Sequence, residues 1–273
     1  MTDGVSTHSS RGLELNYRQF GEQGPPLLVM HGLFGNQSNW AWHSRKLAET
    51  YRVFALDMRN HGASPHSDQM SYPEMAEDVI RFMDEQGIDK AMVLGHSMGG
   101  KVAMQLALNW PERVQKLVVA DISPVYYGGK GKGEHDDIFS GLNAIDLASI
   151  ASRKEADAQL AKWEPDEIVR QFLLSNLVRA EAGGFEWRVN LAALQSNYDA
   201  LRDAPEGDGQ YKGPVLFVRG DESRYIQSRH KEQILARFPA AQVKTIMQTG
   251  HWLHAEKPET FFRIVSDFLQ EEG

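Results

Sequence analysis

The sequence contains no cysteine among its 273 residues. This absence excludes disulfide bridges, thiolate nucleophiles and cysteine-ligated zinc sites. If the protein performs covalent catalysis, its nucleophile must therefore be a different side chain.

Basic residues are scarce relative to acidic ones. Lysine and arginine number 29, aspartate and glutamate number 37, and the formal net charge is −8. An acidic chain without a basic run has no electrostatic footprint for nucleic acid and attracts anionic lipid only weakly. We therefore expect no nucleic-acid partner and a small molecule as the ligand.

Long apolar runs are also missing. No stretch approaches the roughly 18 apolar residues that predict a membrane span. Residues 1–12, MTDGVSTHSSRG, lack the basic start and the apolar run of a signal peptide. The expectation is a cytoplasmic protein, a monomer or homodimer, that does not bind membranes.

What is present is a regular alternation of apolar runs and helical patterns. Strand-like runs occur at 26–32, 51–62, 91–95, 115–121, 213–220 and 241–251. Strands that alternate with helices are typical of an α/β protein with a doubly wound, mostly parallel sheet.

The alternation stops between residues 123 and 212. This block begins with a glycine- and lysine-rich stretch at 126–137, which predicts a mobile hinge, and continues with short amphipathic helices. We interpret 1–122 as the first part of an α/β core, 123–212 as an inserted helical cap, and 213–273 as the second part of the core. Such a cap would cover the carboxyl ends of the strands, where doubly wound sheets bind ligands.

One serine is surrounded by glycines in the segment VLGHSMGGKV, residues 93–102. As a G-x-S-x-G motif, the segment predicts a tight strand-to-helix turn that exposes the hydroxyl of Ser97. As a G-x-x-x-x-G-K motif, it resembles a phosphate-binding loop, although Val102 stands where that loop needs a serine or threonine. A third interpretation is an ordinary strand-to-helix turn.

A nucleophilic serine requires a base, an acid and an oxyanion hole. His251 follows the last strand and precedes the last helix, which is the place of the base in the chain order Ser, Asp, His. His254 and Glu256 nearby suggest a zinc site, but neither an HExxH helix nor a third spaced ligand supports one. We expect no metal and no cofactor.

Two backbone amides are candidates for the oxyanion hole. The pair His31-Gly32 ends a strand, so that the next amide, that of Leu33, faces the serine. The amide of Met98 directly follows the serine. Together they would bind the negative oxygen of a tetrahedral intermediate.

Six segments, in order along the chain, resemble the α/β-hydrolase superfamily: HGLFGNQSNW, DMRNHGASP, GHSMGGKVAM, DISPVYY, FEWRVN and GHWLHAEKP. More narrowly, they are similar to the small acyl-ester hydrolases of the bacterial YbfF type. The resemblance implies a capped serine esterase without cofactor that acts on short- or medium-chain acyl esters, with acyl thioesters such as acyl-CoA as a further class. It leaves the phosphate-loop interpretation with little support.

The acid of this arrangement has two candidates. In most α/β-hydrolases it lies after the penultimate strand in a G-x-x-D turn, where this sequence has Ser223, with Asp221 two residues early. Asp121 lies at the end of the strand that follows the nucleophile, and the YbfF-type resemblance places the acid there. We favour Asp121 and keep Asp221 as the alternative.

Candidate substrate contacts are aromatic: Phe34, Trp40, Tyr126 and Trp187. The polar segment DMRNHGAS, residues 57–64, predicts a turn that supports the nucleophile loop.

The same serine chemistry also serves carbon–carbon bond hydrolases and perhydrolases. A catalytically silent binding protein with this fold is a further alternative, although an intact serine, base and oxyanion hole argue against it.

Overall fold

The computed structural model describes residues 12–128, 133 and 135–271. Residues 1–11 and 272–273, and five residues of the predicted hinge at 126–137, namely 129–132 and 134, lie outside the described residues.

The strands of the described residues are β1 Tyr17–Phe20, β2 Pro26–Met30, β3 Arg52–Leu56, β4 Ala91–His96, β5 Val114–Ala120, β6 Leu177–Arg179, β7 Phe185–Trp187, β8 Val215–Gly220 and β9 Ala241–Ile246. One sheet of seven strands has the order β1-β3-β2-β4-β5-β8-β9. Strand β1 is antiparallel to β3, and the neighbouring pairs from β3 to β9 are parallel. The predicted α/β fold with a mostly parallel sheet is confirmed.

The helices are α1 Ala41–Leu47, α2 Tyr72–Glu85, α3 Met98–Asn109, α4 Asp136–Asn143, α5 Arg153–Leu160, α6 Glu167–Leu174, α7 Leu191–Ser196, α8 Tyr198–Arg202, α9 Lys231–Arg237, α10 Leu253–Glu256 and α11 Pro258–Gln270. Among the described residues, none of these helices combines the length and the apolar character needed to cross a bilayer.

Apolar layers cover both faces of the seven-stranded sheet. Leu28 and Met30 of β2 belong to the layer that contains α2 and α3, whereas Leu27 and Val29 belong to the layer that contains α1 and α11. Successive side chains of a strand point to opposite faces, so a strand covered on both sides must be apolar throughout. All six residues of β4 are buried accordingly.

The predicted cap region, which we call the insertion (residues 123–212), lies between β5 and β8. It holds α4 to α8 and a two-stranded antiparallel hairpin of β6 and β7, which is separate from the main sheet. The hairpin is a difference from the expectation of helices alone.

Buried hydrogen bonds attach the insertion to the rest of the chain. Asn176 Nδ2 donates to the carbonyl of Phe34 at 2.7 Å. The hydroxyl of Tyr72 donates to the carbonyl of Leu201 at 2.6 Å. These contacts fix the insertion over the loop that follows β2 and beside the first turn of α2.

Candidate active site

Ser97 lies at the sharp turn between β4 and α3. Its backbone is strained, with φ 52° and ψ −117°, a left-handed conformation that non-glycine residues rarely adopt. A Cβ on Gly95 would lie 2.1 Å from the carbonyl oxygen of Gly99, and a Cβ on Gly99 would lie 2.6 Å from the carbonyl oxygens of Met30 and His31. Both glycines are therefore needed for the helix to start this close to the sheet.

A series of hydrogen bonds leads away from the serine hydroxyl. Nε2 of His251 lies 2.9 Å from Oγ of Ser97, and Nδ1 of the same ring lies 2.8 Å from Oδ2 of Asp121. Asp121 follows β5 and His251 follows β9, so the ends of three parallel strands bring the three side chains together. The structure thus unites Ser97, His251 and the favoured acid candidate.

The Asp121 carboxylate is fully buried and accepts several hydrogen bonds. The backbone amide of Gly220 donates to Oδ1 at 3.1 Å, and the hydroxyl of Ser223 donates to Oδ2, the oxygen that also faces His251. Burial raises the pKa of Asp121 to about 6, and the hydrogen bonds from Ser223 and Gly220 oppose that rise. The carboxylate therefore depends on its neighbours to stay ionised near neutral pH.

Asp221, the alternative acid, has a different position. Its Oδ1 accepts from the backbone amide of Thr249 at 3.2 Å, so it supports the loop that leads to the histidine. Ser223, whose contact with Asp121 was not predicted from the sequence, stands at the position after β8 where the sequence analysis expected the usual acid of α/β-hydrolases. The signal was in the sequence: the slot was occupied by a residue that can donate a hydrogen bond to a carboxylate.

Of the two residues whose amides are the candidates for the oxyanion hole, Leu33 lines the same two cavities as Ser97, and Met98 directly follows the serine. Met98 is the first residue of α3, and its amide has no intrahelical acceptor. In the described part of the chain, neither amide donates a hydrogen bond. The structure therefore leaves both donors available, as an oxyanion hole requires.

The polar segment 57–64 makes hydrogen bonds to the loop that follows β2, which carries Leu33. The amide of Phe34, which has φ 62°, donates to Nε2 of His61 at 3.1 Å. The amide of Met58 donates to Nε2 of His31 at 3.0 Å. Two buried imidazoles thus hold the segment that carries Leu33, a correction to the expected role of this turn.

Further histidines pack behind His251. Nε2 of His96 lies 2.9 Å from the carbonyl oxygen of His251 and must carry a proton, because a carbonyl can only accept. Burial lowers the pKa of His96 to about 3, so the ring is neutral at physiological pH. His254 stacks on Trp40 with ring centroids 4.6 Å apart.

The two residues suggested as zinc ligands beside His251 have other contacts. His254 is buried against Trp40, and Glu256 Oε2 accepts from the amide of Gly250 at 2.9 Å. In the residues that the structure describes, no group of three or more side chains is arranged to hold a metal ion. The absence of a metal requirement stays a prediction.

A cavity of about 720 Å³ opens beside the serine, and we call it the large cavity. Its volume lies within the usual range for small-molecule sites, about 300–1,000 Å³. Its walls come from the core and from the insertion: Leu33, Phe34, Trp40, Ile138, Val169 and Phe172. The predicted contacts Phe34 and Trp40 are therefore in place.

Two other predicted contacts lie elsewhere. Tyr126 is 53% exposed, and its hydroxyl accepts from the guanidinium of Arg202 at 3.1 Å. Trp187 belongs to β7, where it pairs with Leu177 and packs against the core. Neither is among the described residues that line the large cavity, because the chain directs one towards solvent and the hairpin directs the other into the insertion.

Comparison with known proteins identifies the family. The sequence model of the alpha/beta hydrolase family matches residues 27–264 of this chain. The chain belongs to this family. The resemblance noted in the sequence motifs is thereby confirmed.

Individual relatives narrow the assignment of this alpha/beta hydrolase. It is 39% identical to the sn-1-specific diacylglycerol lipase ABHD11 of Xenopus laevis, covering 98% of this chain and 88% of the relative. It is 37% identical to Esterase YbfF of Escherichia coli, covering 90% and 93%. A solved structure, a marine microorganism esterase, superposes with a TM-score of 0.92 at 38% identity, covering 94% of this chain and 100% of the other. This alpha/beta hydrolase therefore groups with esterase- and lipase-type members of the family.

Proposed function

We propose that this protein is a serine carboxylesterase that cleaves acyl esters through an acyl-enzyme intermediate. The observation that carries the proposal is the hydrogen-bonded series from Asp121 through His251 to Ser97, at 2.8 Å and 2.9 Å, beside the large cavity. The relatives named esterase and lipase support it.

This geometry supports a reaction in two steps. Ser97 Oγ attacks the ester carbonyl while His251 Nε2 takes its proton, and Asp121 stabilises the imidazolium through Nδ1. The carbonyl oxygen becomes an oxyanion that accepts hydrogen bonds from the amides of Leu33 and Met98. His251 then gives the proton to the alcohol oxygen as the carbon–oxygen bond breaks. A water molecule then attacks the acyl carbon as His251 takes its proton, the bond from that carbon to Ser97 Oγ breaks, and His251 returns the proton to Oγ as the acid leaves.

The substrate range follows from the cavity. Its apolar walls favour a substrate with a hydrocarbon portion, and the contacts include Phe34 and Trp40. We include short- and medium-chain acyl esters in the range, with acyl thioesters as a second class. The insertion acts as a cap in this proposal, since α4 and α6 supply one wall of the cavity.

A serine substitution tests the proposal. Ser97→Ala should lower kcat for p-nitrophenyl acetate by about 10³-fold or more, because what remains is oxyanion binding without a nucleophile. The same variant should no longer react with a fluorophosphonate probe. The matched control is Ser228→Ala, which changes a serine outside the site, in the short 3₁₀ helix before α9.

Both variants should unfold at the temperature of the parent protein. Undiminished hydrolysis by folded Ser97→Ala protein would refute the assignment of the nucleophile.

A further inference from the structure

A second, smaller pocket also reaches Ser97. Its volume is about 60 Å³, and we call it the small pocket. It shares Leu33 and Ser97 with the large cavity. Further walls come from α2, α3, the segment after β5, and α8: Tyr72, Met98, Lys101, Ile122, Tyr127 and Leu201.

Three polar groups around the small pocket are already engaged in hydrogen bonds. Tyr72 donates its hydroxyl proton to the carbonyl of Leu201 at 2.6 Å, and Tyr127 donates to the carbonyl of Tyr225. Lys101 Nζ donates to the carbonyl of Arg202 at 3.0 Å and lies over the rings of Tyr72 and Tyr127 at 5.4 Å and 4.8 Å. An occupant therefore meets ring faces and aliphatic carbon, with the guanidinium of Arg202 at one side, in a frame that these hydrogen bonds hold at a fixed width.

The large cavity and the small pocket differ in whether His251 forms part of their walls. Among the described residues, His251 lines the large cavity and does not line the small pocket. The leaving oxygen of an ester must lie within reach of His251 Nε2, because that nitrogen returns the proton as the bond to the alcohol breaks. The alcohol portion therefore occupies the space on the side of His251, the large cavity.

The acyl chain takes the opposite direction. Its carbonyl carbon bonds to Ser97 Oγ, and its oxygen points at the amides of Leu33 and Met98. The acyl chain is the remaining substituent of this carbon and takes the other space that reaches Ser97. Among the described residues, Met98 lines the small pocket and not the large cavity, whereas Leu33 lines both.

We propose that the small pocket binds the acyl chain and the large cavity binds the alcohol, so that the preferred substrates are short-chain acyl esters of large apolar alcohols. The proposal rests on the proposed esterase function. Space for one water molecule in a cavity amounts to about 10–15 Å³. The small pocket, at about 60 Å³, therefore takes an acyl chain of roughly four or five heavy atoms.

A pair of isomeric esters tests this orientation. Octyl acetate and ethyl octanoate have the same composition and differ in which side of the ester carries the long chain. We expect kcat/KM to be at least about tenfold higher for octyl acetate, since a single methylene group already changes specificity by that factor in a tight pocket. Equal values, or a preference for ethyl octanoate, would overturn the proposal.

The assay separates this proposal from the esterase function itself. Hydrolysis of p-nitrophenyl acetate and labelling by a fluorophosphonate probe report on the esterase function alone. If both are positive and ethyl octanoate is preferred, the orientation is wrong and the esterase function stands. If both are negative, the esterase function is refuted and the orientation with it.

Variants in the two walls give an independent readout. Ile122→Val enlarges the small pocket by one methyl group with little risk to folding, and should shift the preference among ethyl acetate, ethyl butanoate and ethyl hexanoate towards longer acyl chains. The matched control is Ile168→Ala, which changes a 76% exposed residue of the large cavity and should alter the preference for alcohol length instead. The proposal would be contradicted if Ile122→Val changed the preference for alcohol length and Ile168→Ala changed the preference for acyl length.

Discussion

At the scale of single residues, Asp121 and Asp221 follow neighbouring strands and accept different hydrogen bonds. Asp121 meets the imidazole of His251 at 2.8 Å, whereas Asp221 accepts from the backbone amide of Thr249. In the proposed mechanism a carboxylate must hold Nδ1–H of the histidine and stabilise its positive charge. This geometry assigns that task to Asp121 and gives Asp221 a part in shaping the loop.

Substitution of the two aspartates should therefore have unequal effects. Asp121→Asn should lower kcat for p-nitrophenyl acetate by about 10⁴-fold, because an amide can favour the wrong tautomer of the histidine and carries no charge. Asp221→Asn keeps an oxygen that accepts from Thr249 and should stay within a few-fold of the parent. Arg224→Gln serves as the control for loss of an exposed charge in the same turn, at a residue that does not line the large cavity among the described residues. A larger loss in Asp221→Asn than in Asp121→Asn would show that the alternative acid was the right one.

The sequence predicted Ser97 and His251 because their motifs and their order along the chain fix their places at the ends of strands. For the acid it favoured Asp121 through the family resemblance, with Asp221 as the alternative, but chain order alone does not separate the two aspartates. Strands β5 and β8 are neighbours in the sheet and end at the same edge, so chain order does not say which carboxylate faces the imidazole. That choice depends on the φ of 51° at Asp121 and on the hydrogen bond from Ser223, which are features of the folded chain.

At the scale of secondary-structure elements, the junction between β4 and α3 has little tolerance for added atoms. A Cβ added to Gly95 would meet the carbonyl carbon and oxygen of Gly99 at 2.4 Å and 2.1 Å. Gly87, after α2, has φ +63°, and a Cβ added there would have none of the described atoms within 4 Å. Gly95 is required because the backbone of Gly99 approaches it closely. Gly87 is required by its backbone conformation alone.

Alanine substitution of these glycines should separate the two requirements. Gly87→Ala should destabilise the protein by about 1–2 kcal/mol, the cost of a left-handed conformation, without loss of specific activity. Gly95→Ala must displace α3 from the sheet, and should cost about 3 kcal/mol or more and lower specific activity because Ser97 moves. Denaturant unfolding measures the stability of each variant, and ester hydrolysis measures its specific activity. If the two variants were equally stable, the close approach of Gly99 to Gly95 would not be what requires a glycine at position 95.

The elements that the sequence predicted are the ones with a strong pattern. Central strands such as β4 are buried on both faces and appear as continuous apolar runs. Strand β1, with the sequence YRQF, has three exposed residues and one buried, and β6 and β7 have three residues each. Strands this short or this exposed are held by their partners, and their own residues carry no periodic signal.

At the scale of the whole molecule, the net charge of −8 is also expressed in the lining of the large cavity, whereas Lys101 and Arg202 line the small pocket. Three carboxylates line the large cavity, those of Asp166, Glu222 and Glu256. Among the described residues no lysine or arginine lines it. The approach of an anionic substrate is therefore opposed by the local field as well as by the overall charge.

This field predicts discrimination within the thioester class. Acetyl-CoA should be hydrolysed with a kcat/KM about tenfold or more below that of the uncharged thioester S-acetyl-N-acetylcysteamine at low ionic strength, because like charge slows association. Added sodium chloride should narrow the difference, since salt screens exposed charges. A ratio that does not respond to salt would exclude electrostatic repulsion as its cause.

The distance along the chain between Ser97 and His251, 154 residues, has a consequence for the newly made protein. Ribosomes add about 5–20 residues per second, so the serine precedes its histidine by roughly 8–30 s of synthesis. During that interval the nascent chain carries the serine and Asp121 without the ring that joins them. Hydrolytic activity can therefore arise only after β9 and its following loop have been translated, and a nascent chain arrested within the insertion would be inert towards esters.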